Sequence, residues 1–241
     1  MRGLFLNRGM SFRYGSQFTR DYGNFYSYDG QIAAYETQIK FIDTIIQKYN
    51  IIFDVAIDSV STKYDKEVIK LFQNDLIYSN FQEKPDATQH HGIKRVFDSL
   101  ENIYSNYDFI FFTRHDLCFT DKFIELFDPN DQCLKFPFVH WHKGRKTKNN
   151  NPNIADTFYF IPKKYFYLID DFRNLEFIIG HFHEILDSWL SKYPNLEYNF
   201  YVNTYHDSDT RKDWNPLYTI ANRLRTEQMT SDPNLVFPRD F

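Results

Sequence analysis

The sequence predicts an α/β protein with a mostly parallel sheet, helices on both faces and an irregular C-terminal part. Three observations carry this reading. Short apolar runs of strand length alternate with longer stretches of helical periodicity through the first half of the chain. One run, Phe109–Thr113, is almost uninterruptedly apolar, as expected of a strand buried on both faces. It breaks abruptly into Arg114, His115 and Asp116 and turns apolar again at Leu117. Ligands of open α/β sheets bind just beyond the carboxyl ends of such strands.

Taken in order, Leu4–Leu6 predicts the first strand, and residues 7–30, polar and rich in Gly and Tyr, predict a long loop. Loops of that length inside a compact domain are usually functional or disordered. Ile32, Tyr35, Ile39, Ile42, Ile45 and Ile46 set an apolar helical stripe over residues 31–49. Ile51–Ile57 reads as a strand, and Asp58 with Ser59 as the turn that ends it. Lys63–Phe72 reads as a short helix and Leu76–Tyr78 as a short strand. Residues 88–105 form an amphipathic helix with Ile93, Phe97, Leu100, Ile103 and Tyr104 on one side. The strand at Phe109–Thr113 then completes a β-α-β-α-β-α-β order, which implies parallel pairing. Beyond it, Leu134–Val139 predicts a strand in which Pro137 favours an edge or a bulge. A polar loop over 143–154, a strand at Phe158–Ile161 and helices near 163–172 and 180–192 follow. Residues 207–241 are polar, with Pro216, Pro233 and Pro238. With no internal repeat and no linker, residues 1–241 read as one domain.

A chain of 241 residues can bury one sizeable core. A formal net charge of −4 and the lack of a long basic patch argue against a general nucleic-acid binder. Arg145, Lys146 and Lys148 are followed directly by Asn149, Asn150 and Asn151, which predicts a loop. The apolar core of the N-terminus is too short for a signal peptide. No stretch reaches the roughly 18 consecutive apolar residues of a membrane span. Cys118 and Cys133 have no metal-motif spacing and read as reduced thiols. The expectation is a soluble, cytoplasmic protein without a transmembrane segment.

Side chains alternate along a strand, so Arg114 and Asp116 share one side of the chain. A guanidinium together with a carboxylate suits a phosphate with a divalent ion; the plain alternative is an ion pair that closes off the strand.

The helix over 88–105 leading into Tyr107-Asp-Phe-Ile-Phe-Phe-Thr-Arg-His-Asp116 resembles the centre of the GT-A glycosyltransferases. In that family a helix lining the sugar-nucleotide pocket precedes a buried strand ending in Asp-x-Asp. Here the motif reads Arg-x-Asp-Leu-x-Phe, similar to a subgroup with arginine in the first acidic place. The opening Leu4-Phe-Leu-Asn-Arg-Gly-Met-Ser-Phe-Arg13 is similar to that subgroup's first strand and basic loop. Ala155-Asp-Thr-Phe-Tyr-Phe160 resembles its later Asn-Asp-x-Phe segment, with Ala155 in place of the asparagine. The likeness covers roughly residues 1–165. It implies a GT-A-like, Rossmann-like fold with a nucleotide-sugar-binding half over 1–120 and an acceptor-binding half over 121–241. It also implies transfer of a sugar from a nucleotide-diphosphate donor to a carbohydrate acceptor.

Such a transfer builds negative charge on the departing diphosphate, which a bidentate arginine or a divalent ion on a carboxylate stabilises. Arg114 is the expected phosphate contact, and Asp116 the expected ligand of Mn²⁺ or Mg²⁺. Arg8 and Arg13, in the loop after the first strand at the same crevice, are either diphosphate or nucleotide contacts or solvated surface arginines. Asp58 is either a contact to the ribose or base, or a turn residue. Lys94 or Arg95, next to His90 and His91, either reaches the donor or belongs to a solvated helix face. Asp156, just before an apolar strand, is the expected base for the acceptor hydroxyl; Glu184 and Glu197 are weaker candidates.

His140 and His142 flank Trp141 and can point the same way. His181, His183 and Glu184 do not form the His-Glu-x-x-His arrangement. His206, near Asp207 and Asp209, offers a histidine to complete a metal site with Asp116. Two other readings stay open: a metal-dependent hydrolase built on the histidine clusters, and a non-catalytic carbohydrate- or nucleotide-binding protein on a degenerate transferase fold.

Overall fold

The computed structural model describes residues 1–14, 21–22, 27–84, 89–140, 151–174, 182–202, 205–206 and 217–221. For Arg13, Tyr14, Asp21, Tyr22, Gln89, His90, His140, Phe182, Tyr205 and His206 it describes the backbone alone. In chain order the elements are β1 (Arg2–Gly9), β2 (Arg13–Tyr14), β3 (Asp21–Tyr22), α1 (Tyr28–Tyr49), β4 (Ile52–Val60), α2 (Asp65–Leu71) and β5 (Leu76–Gln82). Then come α3 (Gln89–Ser99), β6 (Phe109–Arg114), β7 (Leu117–Phe119), α4 (Asp121–Leu126), β8 (Leu134–Phe136) and β9 (Val139–His140). The series ends with β10 (Phe158–Pro162), α5 (Leu168–Arg173), α6 (Ile185–Lys192), β11 (Tyr198–Phe200), β12 (Tyr205–His206) and β13 (Tyr218–Ile220). Seven strands form one mixed, mostly parallel sheet in the order β11-β8-β10-β6-β1-β4-β5, so the chain is an α/β protein as its pattern predicts.

By contacts the chain divides into two compact units. The first comprises residues 1–6, 86–113 and 128–215, and the second residues 7–85, 114–127 and 216–241. In the first unit, β10 runs antiparallel to both β6 and β8, while β11 runs parallel to β8. Register partners on β6 and β10 stack phenylalanines across the ladder, with Phe111 and Phe158 5.3 Å apart and Phe109 and Phe160 5.2 Å apart. Aromatic pairs of this kind add to the area they bury. Beside them Phe172 meets Phe97 face to face and the fully buried Trp189 edge-on.

In the second unit, β4 and β5 pair in parallel around the crossover helix α2, and β7 pairs antiparallel with β13. Its core centres on Phe41 of α1, whose ring lies within 6.0 Å of those of Phe53, Phe119, Phe123 and Phe127. The turn from β7 into α4 is set by Thr120, whose hydroxyl accepts the Phe123 N–H as an N-cap.

Several local expectations need correction. Asp58 and Ser59 do not form a turn; β4 runs through them to Val60, and both are buried. Arg8 is not in a loop but in the last turn of β1's ladder, because the first strand extends past its apolar run. The helix expected over 88–105 stops at Ser99, and Tyr104–Asn106 forms a separate tight turn. Pro137 does break the expected strand: β8 ends at Phe136 and β9 begins at Val139.

Candidate functional site

Arg8, Asp58, Arg114 and Asp116 belong to the second unit. The ends of β1 and β4 meet where the Ser11 N–H donates to Ser59 Oγ at 3.1 Å. The starts of β1 and β6 meet where the Asp108 N–H donates to the Arg2 carbonyl. The three adjacent strands therefore run the same way, and Arg8, Asp58 and Arg114 all sit near carboxyl ends. Parallel α/β sheets place their ligands at this edge.

Arg114 and Asp116 face the same way, as strand alternation predicts. Arg114 Nε donates to Asp116 Oδ1 at 2.9 Å and Nη2 to Oδ2 at 2.6 Å. This is a fork-to-fork pair, and it is largely dry: the side chains are 13% and 5% exposed. Arg8 and Asp58 are buried as well. Asn80 Nδ2 donates to Asp58 Oδ2 at 3.0 Å.

Between the two members of the pair, His115 points the opposite way, into the core. Its Nε2 lies 3.0 Å from the Asp58 carbonyl oxygen and its Nδ1 3.1 Å from Tyr35 Oη. A carbonyl only accepts, so Nε2 carries the proton and Nδ1 accepts from the tyrosine. Burial pushes the imidazole down to about 4, against the Asp58 carbonyl and the Asp116 charge and with help from Arg8. His115 is thus neutral near pH 7. Burial likewise raises the Tyr35 phenol well above its ordinary range. The Cys118 thiol, raised by burial to about 12, is inert.

Two residues at and just past the end of β1 have unusual backbone conformations. Gly9 has φ 113°, and Phe12, a bulky residue, sits in the left-handed region at φ 49°. Strain of this kind persists only where the surroundings over-determine it. Here the Phe12 N–H donates to Gln31 Oε1 at 3.1 Å, and its carbonyl accepts from Ser27 Oγ at 2.6 Å. Its ring packs against Tyr28, Tyr35 and Tyr64.

The helical stripe of α1 is turned relative to expectation. Tyr35, Ile42 and Ile45 are buried, but Ile32, Ile39 and Ile46 are only half-buried, and Gln31 and Gln38 face inward instead. These two glutamines, with Asn7, Ser11, Phe12, Ser59 and Asn80, are site residues that sequence reasoning missed. The available signal was two polar residues seven apart, on the same helix side as Tyr35.

The remaining expected residues fall in the first unit. Lys94 pairs with Asp98 at 2.5 Å, and Arg173 Nε donates to the same carboxylate at 2.8 Å. Burial pushes Asp98 up, but Lys94 and Arg173 outweigh it and hold its carboxyl below the usual range. Arg95 is half-buried on the same helix. Asp156 is half-buried in the turn before β10. Two residues earlier, the Ile154 N–H donates to the His183 carbonyl at 2.9 Å and the Ile154 carbonyl accepts from His183 Nδ1 at 2.8 Å. Glu184 precedes α6 without a side-chain capping bond, and the exposed Glu197 accepts from Lys164 at 2.8 Å.

His206 and His140 are opposed in the parallel β12–β9 ladder, but their side chains, like those of Arg13 and His90, are outside the described set. Trp141, His142, His181, Asp207 and Asp209 lie outside the described residues. Among the described residues no three His, Cys, Asp or Glu side chains gather as a metal site, and no helix is long and apolar enough to cross a membrane.

No family model matches the sequence, and no curated protein matches it. Solved structures of similar fold include a glycosyltransferase involved in glycosylation of the major capsid of PBCV-1. It is 10% identical with a TM-score of 0.43, over 91% of this chain and 92% of that one. The galactosyltransferase LgtC, in complex with donor and acceptor sugar analogues, is 14% identical with a TM-score of 0.40, over 83% and 67%. A Bacillus anthracis protein described as a glucose-1-phosphate thymidylyltransferase, in complex with sucrose, is 14% identical with a TM-score of 0.47, over 88% and 92%. The likeness is one of fold, to two glycosyltransferases and one nucleotidyltransferase.

Proposed function

We propose that the protein is a glycosyltransferase that moves a sugar from a nucleotide-diphosphate donor to a carbohydrate acceptor. One observation carries the reading: two arginines, Arg8 and Arg114, stand near the carboxyl ends of adjacent parallel strands with Asp58 and Asp116. Guanidinium groups in a water-poor crevice stabilise charge that develops on a departing diphosphate, because the field there is weakly screened. In this reading Arg8 and Arg114 hold the diphosphate, with Arg13 as a further donor contact, and Asp58 contacts the nucleoside. Within the first unit, Lys94 and Arg95 are proposed separately as donor contacts and Asp156 as the base for an acceptor hydroxyl.

Mn²⁺ or Mg²⁺ belongs to the proposal through Asp116, with His206 of the first unit as a separate candidate ligand. Both Asp116 oxygens accept from Arg114, and among the described residues no three His, Cys, Asp or Glu side chains gather there. No step is therefore routed through a cation. The bidentate pair also favours a second reading, a nucleotide- or sugar-binding protein without turnover, because Arg114 is already neutralised by Asp116.

A thermal-shift screen of nucleotide sugars with and without Mn²⁺, followed by an assay for donor hydrolysis and transfer, tests both. Stabilisation by one nucleotide class with turnover supports the transferase. Stabilisation without turnover supports the binding protein, and no stabilisation by any nucleotide sugar overturns both.

A further inference from the structure

Two buried glutamines on one side of α1 join the end of β1 and the residues just after it to the stretch from Arg114 to Leu117: Gln38 reaches Asn7 in β1, and Gln31 reaches Phe12 beyond it. Gln31 accepts the Phe12 N–H on Oε1 and donates from Nε2 to the His115 carbonyl at 2.6 Å. Gln38 accepts from Asn7 Nδ2 on Oε1 at 2.7 Å. Its Nε2 lies 3.3, 3.1 and 3.0 Å from the carbonyl oxygens of Arg114, His115 and Leu117. An amide has donors and an acceptor at fixed spacing, so Gln31 holds the Phe12 backbone, and Gln38 the Asn7 side chain, at a set separation from the carbonyls of Arg114, His115 and Leu117. Both are essentially fully buried, so water does not compete for these bonds. One segment flanks Arg8 and the other bears Arg114.

We infer that Gln31 and Gln38 are positioning residues that fix the spacing between the Arg8 and Arg114 segments, and so set the bite of the site for a diphosphate. This rests on the reading of the strand-end arginines as an anion cradle. It goes beyond that reading by assigning the spacing to a helix that bears neither arginine. An apolar core helix in α1's place would pack as well but would leave the Arg114, His115 and Leu117 carbonyls to find other partners.

The test uses Gln31→Met and Gln38→Met, which keep side-chain length and remove the amide. Two readouts are taken: binding of inorganic pyrophosphate by calorimetry, and hydrogen exchange at the Phe12 and residue 114–117 amides. Ile45→Val, deeper in the same helix, supplies a variant with a packing loss alone. The expected result is pyrophosphate affinity about tenfold weaker in each glutamine variant, the size of a lost buried hydrogen bond. Ile45→Val should leave that affinity unchanged. Phe12 exchange should rise in Gln31→Met whether or not an anion is present. If Gln38→Met fails to fold, Gln31→Met, which loses fewer bonds, decides the matter.

Unchanged exchange at Phe12 and at 114–117 overturns the inference. So does an affinity loss in Ile45→Val equal to that in the glutamine variants. If the wild type does not bind pyrophosphate, the cradle reading fails, and exchange alone still decides whether the glutamines hold the two segments.

Discussion

At the residue scale the centre of the site is a pair of charges already satisfied by one another. Taking one partner from a mostly desolvated pair leaves the other uncompensated, which typically costs more than the pair itself contributes. Asp116→Asn should therefore lower stability by about 3 kcal/mol in urea denaturation. It should also strengthen metal-free pyrophosphate binding, because the Arg114 fork is released from its internal carboxylate. Arg114→Lys should weaken pyrophosphate binding by about tenfold, since an ammonium cannot reproduce the planar fork. His115 makes a separate prediction. Its folded pKa of about 4 lies below the unfolded value of 6.5, so the unfolded chain binds more protons between those limits. Its contribution is complete above about pH 6.5 and declines as pH falls toward 4. Unfolding free energy should drop by about 2 kcal/mol between pH 7.5 and 5 from this group alone. Urea titrations of wild type and His115→Gln at both pH values check it, because the variant should lose that part of the slope.

At the element scale, α1 shows why part of the site was legible and part was not. Its existence followed from isoleucine spacing, but the face it buries did not, because Gln31 and Gln38 occupy places that hydrophobicity assigns to solvent. Their burial becomes sensible only when the carbonyls of 114–117 are known to lie opposite, and those are contacts between residues about eighty apart in the chain. The β6 strand and its Arg-His-Asp end were readable because an uninterrupted apolar run with a charged end is a local signal. Asp58 was misplaced for the converse reason: a buried aspartate inside a strand looks local and turn-like until Asn80 on the neighbouring strand is seen to donate to it. Strands of three residues such as β7 and β13 carry too few alternations to be recognised, yet they pair with each other through Leu117–Phe119. The helix that follows β7 depends on one cap, and Thr120→Ala should cost about 1 kcal/mol in the same denaturation assay. Thr120→Ser, which keeps the accepting oxygen, should recover most of it.

At the scale of the whole molecule, the formal net charge of −4 works against an anionic ligand, so under the proposed function binding must come from the local guanidinium groups rather than from the overall field. Neighbouring strands bring Arg8 and Arg114 to the same sheet edge, and the sheet is thus the device that overcomes the molecule's own charge. A ligand that binds only the folded state stabilises it by RT ln(1 + [L]/Kd), about 2.7 kcal/mol at a hundred times Kd. For a chain of 241 residues that corresponds to a rise in Tm of roughly 5–10 °C. The nucleoside diphosphate that fits should give a shift of this size at saturating concentration. Arg8→Gln should remove most of the shift while leaving the far-UV spectrum unchanged. Because that substitution takes away a buried charge, the ligand-free Tm of the variant must be measured first, and the shift compared against that baseline. An equal shift in wild type and Arg8→Gln would mean that the diphosphate is held without the first strand's arginine, and the sheet edge would no longer account for binding.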